Sequence, residues 1–343
     1  MSPELPTLKL GLAGFTTEQQ RRLEALLAAV SSSGMHWVVG DFGEADAWCV
    51  NGARTQVLAD GTLRVASGVP AGRSIQLDMQ AIDRPVAFGL PLGPRNFEPT
   101  CTFDASDAAS VRHLLVRLES WLRPLVAQFC LASQILEHET ALGAGTYQVT
   151  GTDGTLLAVV NLRDEAAVLP TVGPLDFEHA MWSRQPASAS AAPEGFVRAS
   201  LSLLMWQYAV RTRRDVLPKQ YRADTLYFRR PPRLPQRLLR DSHLLLLREL
   251  AFAPARFNEL AQRCGGAVGP MAQDLGALYL VGAITSNPKR ASLAGLRRHE
   301  AADSLHSLSH SVVPSGLDTD PPTAFARRPP AHDLTAPAPL SLE

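Results

Sequence analysis

Residues 211–250, RTRRDVLPKQYRADTLYFRRPPRLPQRLLRDSHLLLLREL, divide this chain into two kinds of fold. Before them, short apolar runs alternate with turn residues. After them, apolar residues recur at helical spacing. Between Arg211 and Arg240 the segment carries Arg211, Arg213, Arg214, Lys219, Arg222, Arg229, Arg230, Arg233, Arg237 and Arg240 against Asp215 and Asp224, a local excess of about eight charges. Tyr221, Tyr227 and Phe228 interleave with them, and arginine forks beside aromatic faces suit phosphates and bases together. Pro231, Pro232 and Pro235 stiffen the connector, and Pro235 is placed to be the first residue of a helix. A plainer reading stands beside this one, in which the arginines pair with acids on neighbouring domains.

The rest of the composition confines any electrostatic function to such a local patch. The chain has 343 residues, a formal net charge of zero and 19% charged residues, so no global excess of one sign is built for nucleic acid or membrane. Of the 33 basic residues only Lys9, Lys219 and Lys289 are lysines, which weakens any single arginine as a sign of a fork-shaped anion site. Cys49, Cys101, Cys130 and Cys264 show no metal or disulfide spacing and read as small core residues. No signal-peptide pattern and no long apolar span occur, so the expected location is the cytoplasm.

Working back from the connector, residues 1–140 read as an α/β domain. Leu8–Gly14 (LKLGLAG) is a strand, and Thr16 or Thr17 caps a helix whose apolar face is Leu23, Leu26, Leu27 and Val30. Strands follow at His36–Gly40, Ala47–Asn51, Ser74–Met79 and Arg84–Leu92, with an edge hairpin at Leu63–Val65 after the Asp60-Gly61 turn. A helix starting near Asp104 or Ser106 carries Val111, Leu114, Leu115, Leu118 and Leu122, breaks at Pro124 and resumes to about His138. This order, over residues 6–122, resembles a doubly wound module of the response-regulator receiver type. The resemblance implies an acidic pair, a phosphoacceptor Asp and a Lys at the strand ends, where this chain has Gly14-Phe15-Thr16, Val50-Asn51-Gly52 and Leu92-Gly93-Pro94-Arg95. The module is therefore expected to be a degenerate receiver that works as an interaction platform. Gly11 and Gly14 lack dinucleotide-binding spacing and read as close helix–strand packing.

Residues 141–225 read as a central α+β domain. Strands flank a Thr152-Asp153-Gly154 turn, Asp176 caps a short helix containing FEHAMW, PASASAAP (186–193) is a linker, and 196–210 is an apolar helix. Trp182, Trp206 and Tyr208 read as core in preference to an aromatic pocket, and His179 has no companion ligand for a metal.

On the other side, residues 226–290 comprise the basic hinge and a helical module: a helix from Ser242, RFNELAQRC, the turn Gly265-Gly266, GPMAQDLGALYL and the strand VGAIT. Leu260, Leu275 and Leu278 are its expected core. This pattern is similar to the winged-helix branch of helix-turn-helix proteins, which implies DNA contact through the third helix. That helix offers only Gln273 and Asp274 to a base edge, with Arg256 and Arg263 on the preceding helix and Arg290 in a wing, so a protein-contacting module is favoured. Residues 291–343 are rich in Pro, Ser, Ala and Asp and read as a disordered tail, in which His299, His306 and His310 are too widely spaced to make a metal tract.

The expected fold class is thus α/β plus α+β: a doubly wound, receiver-like sheet domain, a central α+β domain, a winged-helix-like module and a tail. No hydrolase, zinc-protease or deaminase motif occurs, and no catalytic residue, metal ligand or cofactor is assigned. The expected function is that of a bacterial-type, non-catalytic regulatory or adaptor protein of signal transduction. Its expected site comprises Arg222, Tyr227, Phe228, Arg229, Arg230, Arg233, Arg237 and Arg240, with Arg256, Arg263 and Gln273 as DNA contacts. The expected partner is a protein, with DNA or a cyclic dinucleotide as the anionic ligand and no membrane. The alternatives are a cyclic-dinucleotide receptor and a purely structural interaction protein.

Overall fold

Strand β1 (Thr7–Ala13) feeds helix α1 (Thr17–Ala29) through a capping box in which Thr16 and Gln19 satisfy each other's backbone N–H. The structure, a computed structural model, describes residues 4–30, 35–93, 97–186, 192–265 and 267–292. The chain continues with β2 (His36–Gly40), β3 (Ala47–Asn51), β4 (Thr55–Val57), β5 (Leu63–Val65), β6 (Ile75–Leu77), β7 (Val86–Gly89), β8 (Thr102–Phe103) and α2 (Ala108–Glu137). Strands β2-β1-β3-β7-β8 form a five-stranded sheet in that order, every pair parallel.

Only one face of this sheet is covered by helices, which corrects the doubly wound expectation. Leu8, Leu10, Cys49, Ala87 and Phe103 share a core with Leu23 and Leu27 of α1 and Leu114 and Leu118 of α2. On the other face Ala13, Val50, Val86 and Phe88 pack against Leu63, Val65 and Leu77 of a small antiparallel sheet, β4-β5-β6. The run 74–79 therefore belongs to this second sheet and not to the parallel one. Its alternation of half-buried Ile75, exposed Gln76 and buried Leu77 suits a strand with a single covered face.

Helix α2 runs unbroken for 30 residues through Pro124, where the sequence suggests an interruption. Burial on both sides of the proline outweighs the missing hydrogen bond. Val111 to Leu122 sit on the parallel sheet, while Val126 to Ile135 continue into the next layer with Val149, Val160 and Tyr208.

That layer is a second five-stranded sheet, β12-β9-β10-β11-β13, wholly antiparallel, made from β9 (Thr146–Thr150), β10 (Leu156–Asn161), β11 (Glu165–Val168), β12 (Met181–Gln185) and β13 (Val197–Ser200). Gly154, at φ +81°, closes the β9–β10 hairpin as its sequence suggests. Two assignments change. The helical turn near FEHAMW (177–182) covers only Pro174–Phe177 and ends as that segment begins, Met181 and Trp182 open edge strand β12, and 196–210 is β13 plus a shorter helix, α3 (Leu201–Ala209). Ser200 caps α3 by accepting from the Leu203 N–H at 3.2 Å, so the chain leaves the sheet there.

The remaining elements are α4 (Lys219–Ala223), β14 (Thr225–Phe228), α5 (Asp241–Phe252), β15 (Ala255–Arg256), α6 (Phe257–Cys264), α7 (Val268–Leu280) and β16 (Ile284–Thr285). Pro235 precedes a single helical turn, Gln236–Leu238, and not the helix itself. Strand β14, from the basic connector, lies in the middle of an antiparallel sheet β15-β14-β16. Leu260, Leu275 and Leu278 are wholly buried with Leu226 and Trp206 in one core. Helix α7 stops at Gly282 (φ +67°), where Gly282 N–H donates to Tyr279 O and Ala283 N–H to Leu278 O, the paired bonds of a Schellman ending. The structure is thus mixed α/β. The expected tail beyond Ser292 lies outside the described residues, as do its three histidines and most of the PASASAAP linker. Among the described residues no helix is long and apolar enough to cross a membrane.

Candidate functional site

Most of the connector's cations are held by the protein itself. Arg211 Nη2 lies 2.5 Å from Asp46 Oδ1, and both side chains are largely buried. Arg214 Nε reaches Glu4 at 3.0 Å and its Nη1 reaches Glu137 at 3.2 Å, while the Tyr208 hydroxyl also donates to Glu4 at 2.9 Å. Arg222 pairs with Asp215 at 2.5 Å and sits over the Phe257 ring. Arg237 approaches Asp83 at 3.5 Å, and Arg240 lies 3.0 Å from Glu44 and 3.5 Å from Asp274. Three residues of the expected site, Arg222, Arg237 and Arg240, are therefore tied to acids. Arg237 and Arg240 line a cleft of about 600 Å³ between the connector, α3 and the loop before β3, where Lys9 and Arg84 also pair with Glu44 and Asp83.

Three arginines remain. Arg229, Arg230 and Arg233 are exposed and make no ion pair or side-chain hydrogen bond among the described residues. Their positions follow from the sheet: Arg229 N–H donates to Ala283 O at 2.9 Å, extending β14 past Phe228 and bringing both side chains to the turn that ends α7. A Cβ placed on Gly282 would lie 3.3 Å from Arg230 Nη2 and 3.4 Å from Arg229 Nη1. Partial burial, and then the charges of Arg229 and Arg233, hold Arg230 below the ordinary guanidinium range. The negative end of α7 offsets part of this repulsion.

The two aromatic candidates do not join this cluster together. Successive residues of a strand face opposite sides, and Phe228 packs against the module's core while Tyr227 points the other way, half-buried. Trp206 and Tyr208 are core residues of two separate clusters, and Trp182 packs on Tyr147 and His138.

The proposed DNA contacts are dispersed. Arg256 and Arg263 stand at opposite ends of α6, both exposed. On α7, Met271 to Leu278 are buried except for Gln273, because the helix packs against α3 and α5. Gly276 meets Val216 so closely that a Cβ would lie 2.8 Å from it. Asp274 is an internal acceptor. His243 Nδ1 accepts the Arg240 N–H at 3.1 Å, and its Nε2 lies 3.1 Å from Asp274 Oδ1. Burial alone would raise this carboxyl, but the His243 ring, then Ser242 and Arg240, hold it below the usual carboxylate range. A depressed carboxylate contributes stability above its unfolded pKa of about 3.9 and loses it as pH falls through the folded value. The stability difference between wild type and Asp274→Asn is therefore expected to be full at pH 7 and to shrink below about pH 4, as urea unfolding at stepped pH would record.

At the carboxyl ends of the parallel strands, where an open α/β sheet ordinarily holds its ligand, the chain packs on itself beyond β1 and β3, while a pocket of about 660 Å³ opens beyond β7 and β8, lined by Gln19, Arg22, Leu90, Leu92, Asp104 and Ser106 among others. Asn51 Nδ2 donates to Gly14 O at 3.0 Å and Arg54 Nη1 to Ser67 O at 2.5 Å. A Cβ on Gly68 would lie 2.1 Å from Phe15 O, and one on Gly52 2.5 Å from Gly89 O. Gly68→Ala is expected to cost about 3 kcal/mol of stability through backbone overpacking, measurable as a lower denaturation midpoint.

Burial pushes the Cys130 thiol up to about 12 and raises Cys49 as well. Among the described residues no group of three His, Cys, Asp or Glu side chains could hold a metal. The residue that sequence reasoning passed over is Gly282. Its signal is there, a glycine directly after the apolar helical run Leu278–Val281. Comparison of the chain with protein-family models, curated proteins and solved structures finds no match.

Proposed function

We propose that the chain is a non-catalytic regulatory or adaptor protein of signal-transduction type, with an anion site at Arg229, Arg230 and Arg233. The observation that carries this reading is that Arg229 and Arg230 converge on Gly282, with Arg233 three residues on, and that these three guanidinium groups, about fifteen N–H donors in all, have no side-chain acceptor among the described residues. Five other arginines of the same connector have found one. The five-stranded parallel sheet, whose strand ends carry Gly14-Phe15-Thr16 and Val50-Asn51-Gly52 where a receiver has acids, supports an interaction platform. Three helices and a three-stranded antiparallel sheet support a winged-helix-like module, and burial of α7 favours its use in protein contact over groove reading. A cyclic-dinucleotide receptor has less support, since Tyr227 and Phe228 face opposite ways.

The second reading, a purely structural interaction protein, is favoured by the paired arginines: they show the connector acting as an internal tie between layers. Titration with duplex DNA and with cyclic dinucleotides at two salt concentrations separates the readings. Salt-dependent binding that disappears in the variant Arg229→Ala, Arg230→Ala, Arg233→Ala supports the anion site. Absence of binding to any anion, even at low salt, leaves the structural reading.

A further inference from the structure

We infer that the Arg229–Arg230–Arg233 cluster grips a compact phosphate terminus, a phosphomonoester or a diphosphate, in preference to a phosphodiester chain, and that Gly282 is the positioning residue that lets two guanidinium groups share it. This rests on the anion-site reading above. Arg229 Nη1 and Arg230 Nη2 approach a single point over the bare Cα of Gly282, at 3.4 and 3.3 Å, so both forks can address one phosphoryl group. No side-chain acceptor competes for them among the described residues.

Charge density argues the same way. Two guanidinium groups that meet at one point, with Arg233 adding to their field, are relieved most by a ligand that brings two or three negative charges to one place. A phosphomonoester carries close to two at neutral pH, whereas a diester carries one per phosphate. The chain also returns here after Lys289 and Arg290, because Ser292 N–H donates to Phe228 O at 2.9 Å. Those two exposed cations add to the local field, with no acid in ion-pair contact among the described residues. Base recognition has no matching element, since Phe228 is turned into the core.

Gly282 has a local duty, the left-handed ending of α7, which asparagine also tolerates. Gly282→Asn thus keeps the helix stop while placing a side chain where the two guanidinium groups now meet.

The test is calorimetric titration of the full chain with inorganic pyrophosphate, a cyclic dinucleotide and duplex DNA, in wild type, in Gly282→Asn and in the double variant Arg229→Lys, Arg230→Lys, which keeps charge but removes the forks. Pyrophosphate is expected to bind wild type, and both variants are expected to weaken it by at least about tenfold with unchanged unfolding midpoints. Pyrophosphate binding that survives the lysine variant overturns the shared-fork inference. Binding of DNA or the cyclic dinucleotide without pyrophosphate overturns the ligand class while leaving an anion site. Failure of all three ligands overturns the anion-site reading itself. Should Gly282→Asn unfold, the lysine variant decides alone.

Discussion

Substituting Asp46 by alanine is expected to lower the unfolding free energy by about 3–5 kcal/mol, the range for removing one partner of a buried ion pair. Asp46 accepts from the Lys9 N–H at 2.8 Å and from Arg211 Nε at 3.1 Å, besides the closer Nη2 contact. The substitution leaves the Arg211 guanidinium, 11% exposed, without its counter-charge and strips an acceptor from β1. Thr7 N–H donates to Arg211 O at 2.9 Å, so the connector is pinned to the first strand by backbone as well as by charge. Pairing Asp46→Ala with Arg211→Met is expected to recover much of the loss, since no charge is then buried alone. Urea denaturation of the two single variants and the double variant measures this. Additive losses would show that the two side chains do not act as a pair.

The second large effect is on binding. Replacing Arg229, Arg230 and Arg233 together by alanine is expected to reduce affinity for the anionic ligand by at least about a hundredfold, on about 1.5–3 kcal/mol for each charge-assisted hydrogen bond lost. Because these side chains have no protein partner among the described residues, stability should not fall. The relief of repulsion around Arg230 should leave it equal or slightly higher. Arg222→Ala, Arg237→Ala and Arg240→Ala provide the contrast: they remove residues tied to Asp215, Asp83 and Glu44, so they should change affinity far less. Equal losses of binding in the two sets would mean that the ligand sees the connector's summed charge and not a site. Fluorescence anisotropy at low and moderate salt reads both quantities.

The contrast between those two sets of arginines marks the limit of what could be read without coordinates. With Arg211 and Arg214 these six make eight arginines of one basic stretch, and sequence spacing treats them alike. Which of them is satisfied depends on Asp46, Asp83, Glu44, Glu137 and Asp274, residues brought from β-loops and helices far along the chain. Gly282, about fifty residues from the arginines it accommodates, was visible only as a helix stop.

Local chemistry was legible where it acts over a few residues. The His36–Gly40 and Ala47–Asn51 strands, the hairpins at Gly61 and Gly154, the Thr16 cap and the core leucines Leu260, Leu275 and Leu278 follow from turn geometry, capping and apolar spacing, and they stand where those rules put them. Tertiary structure alone decided that α2 continues through Pro124, that a small antiparallel sheet covers one face of the parallel sheet, and that α7 lies buried against α3. In each case burial free energy gathered from distant segments exceeded a local preference of a few kcal/mol. It is the same long-range pairing that leaves Arg229, Arg230 and Arg233 with charge to spare.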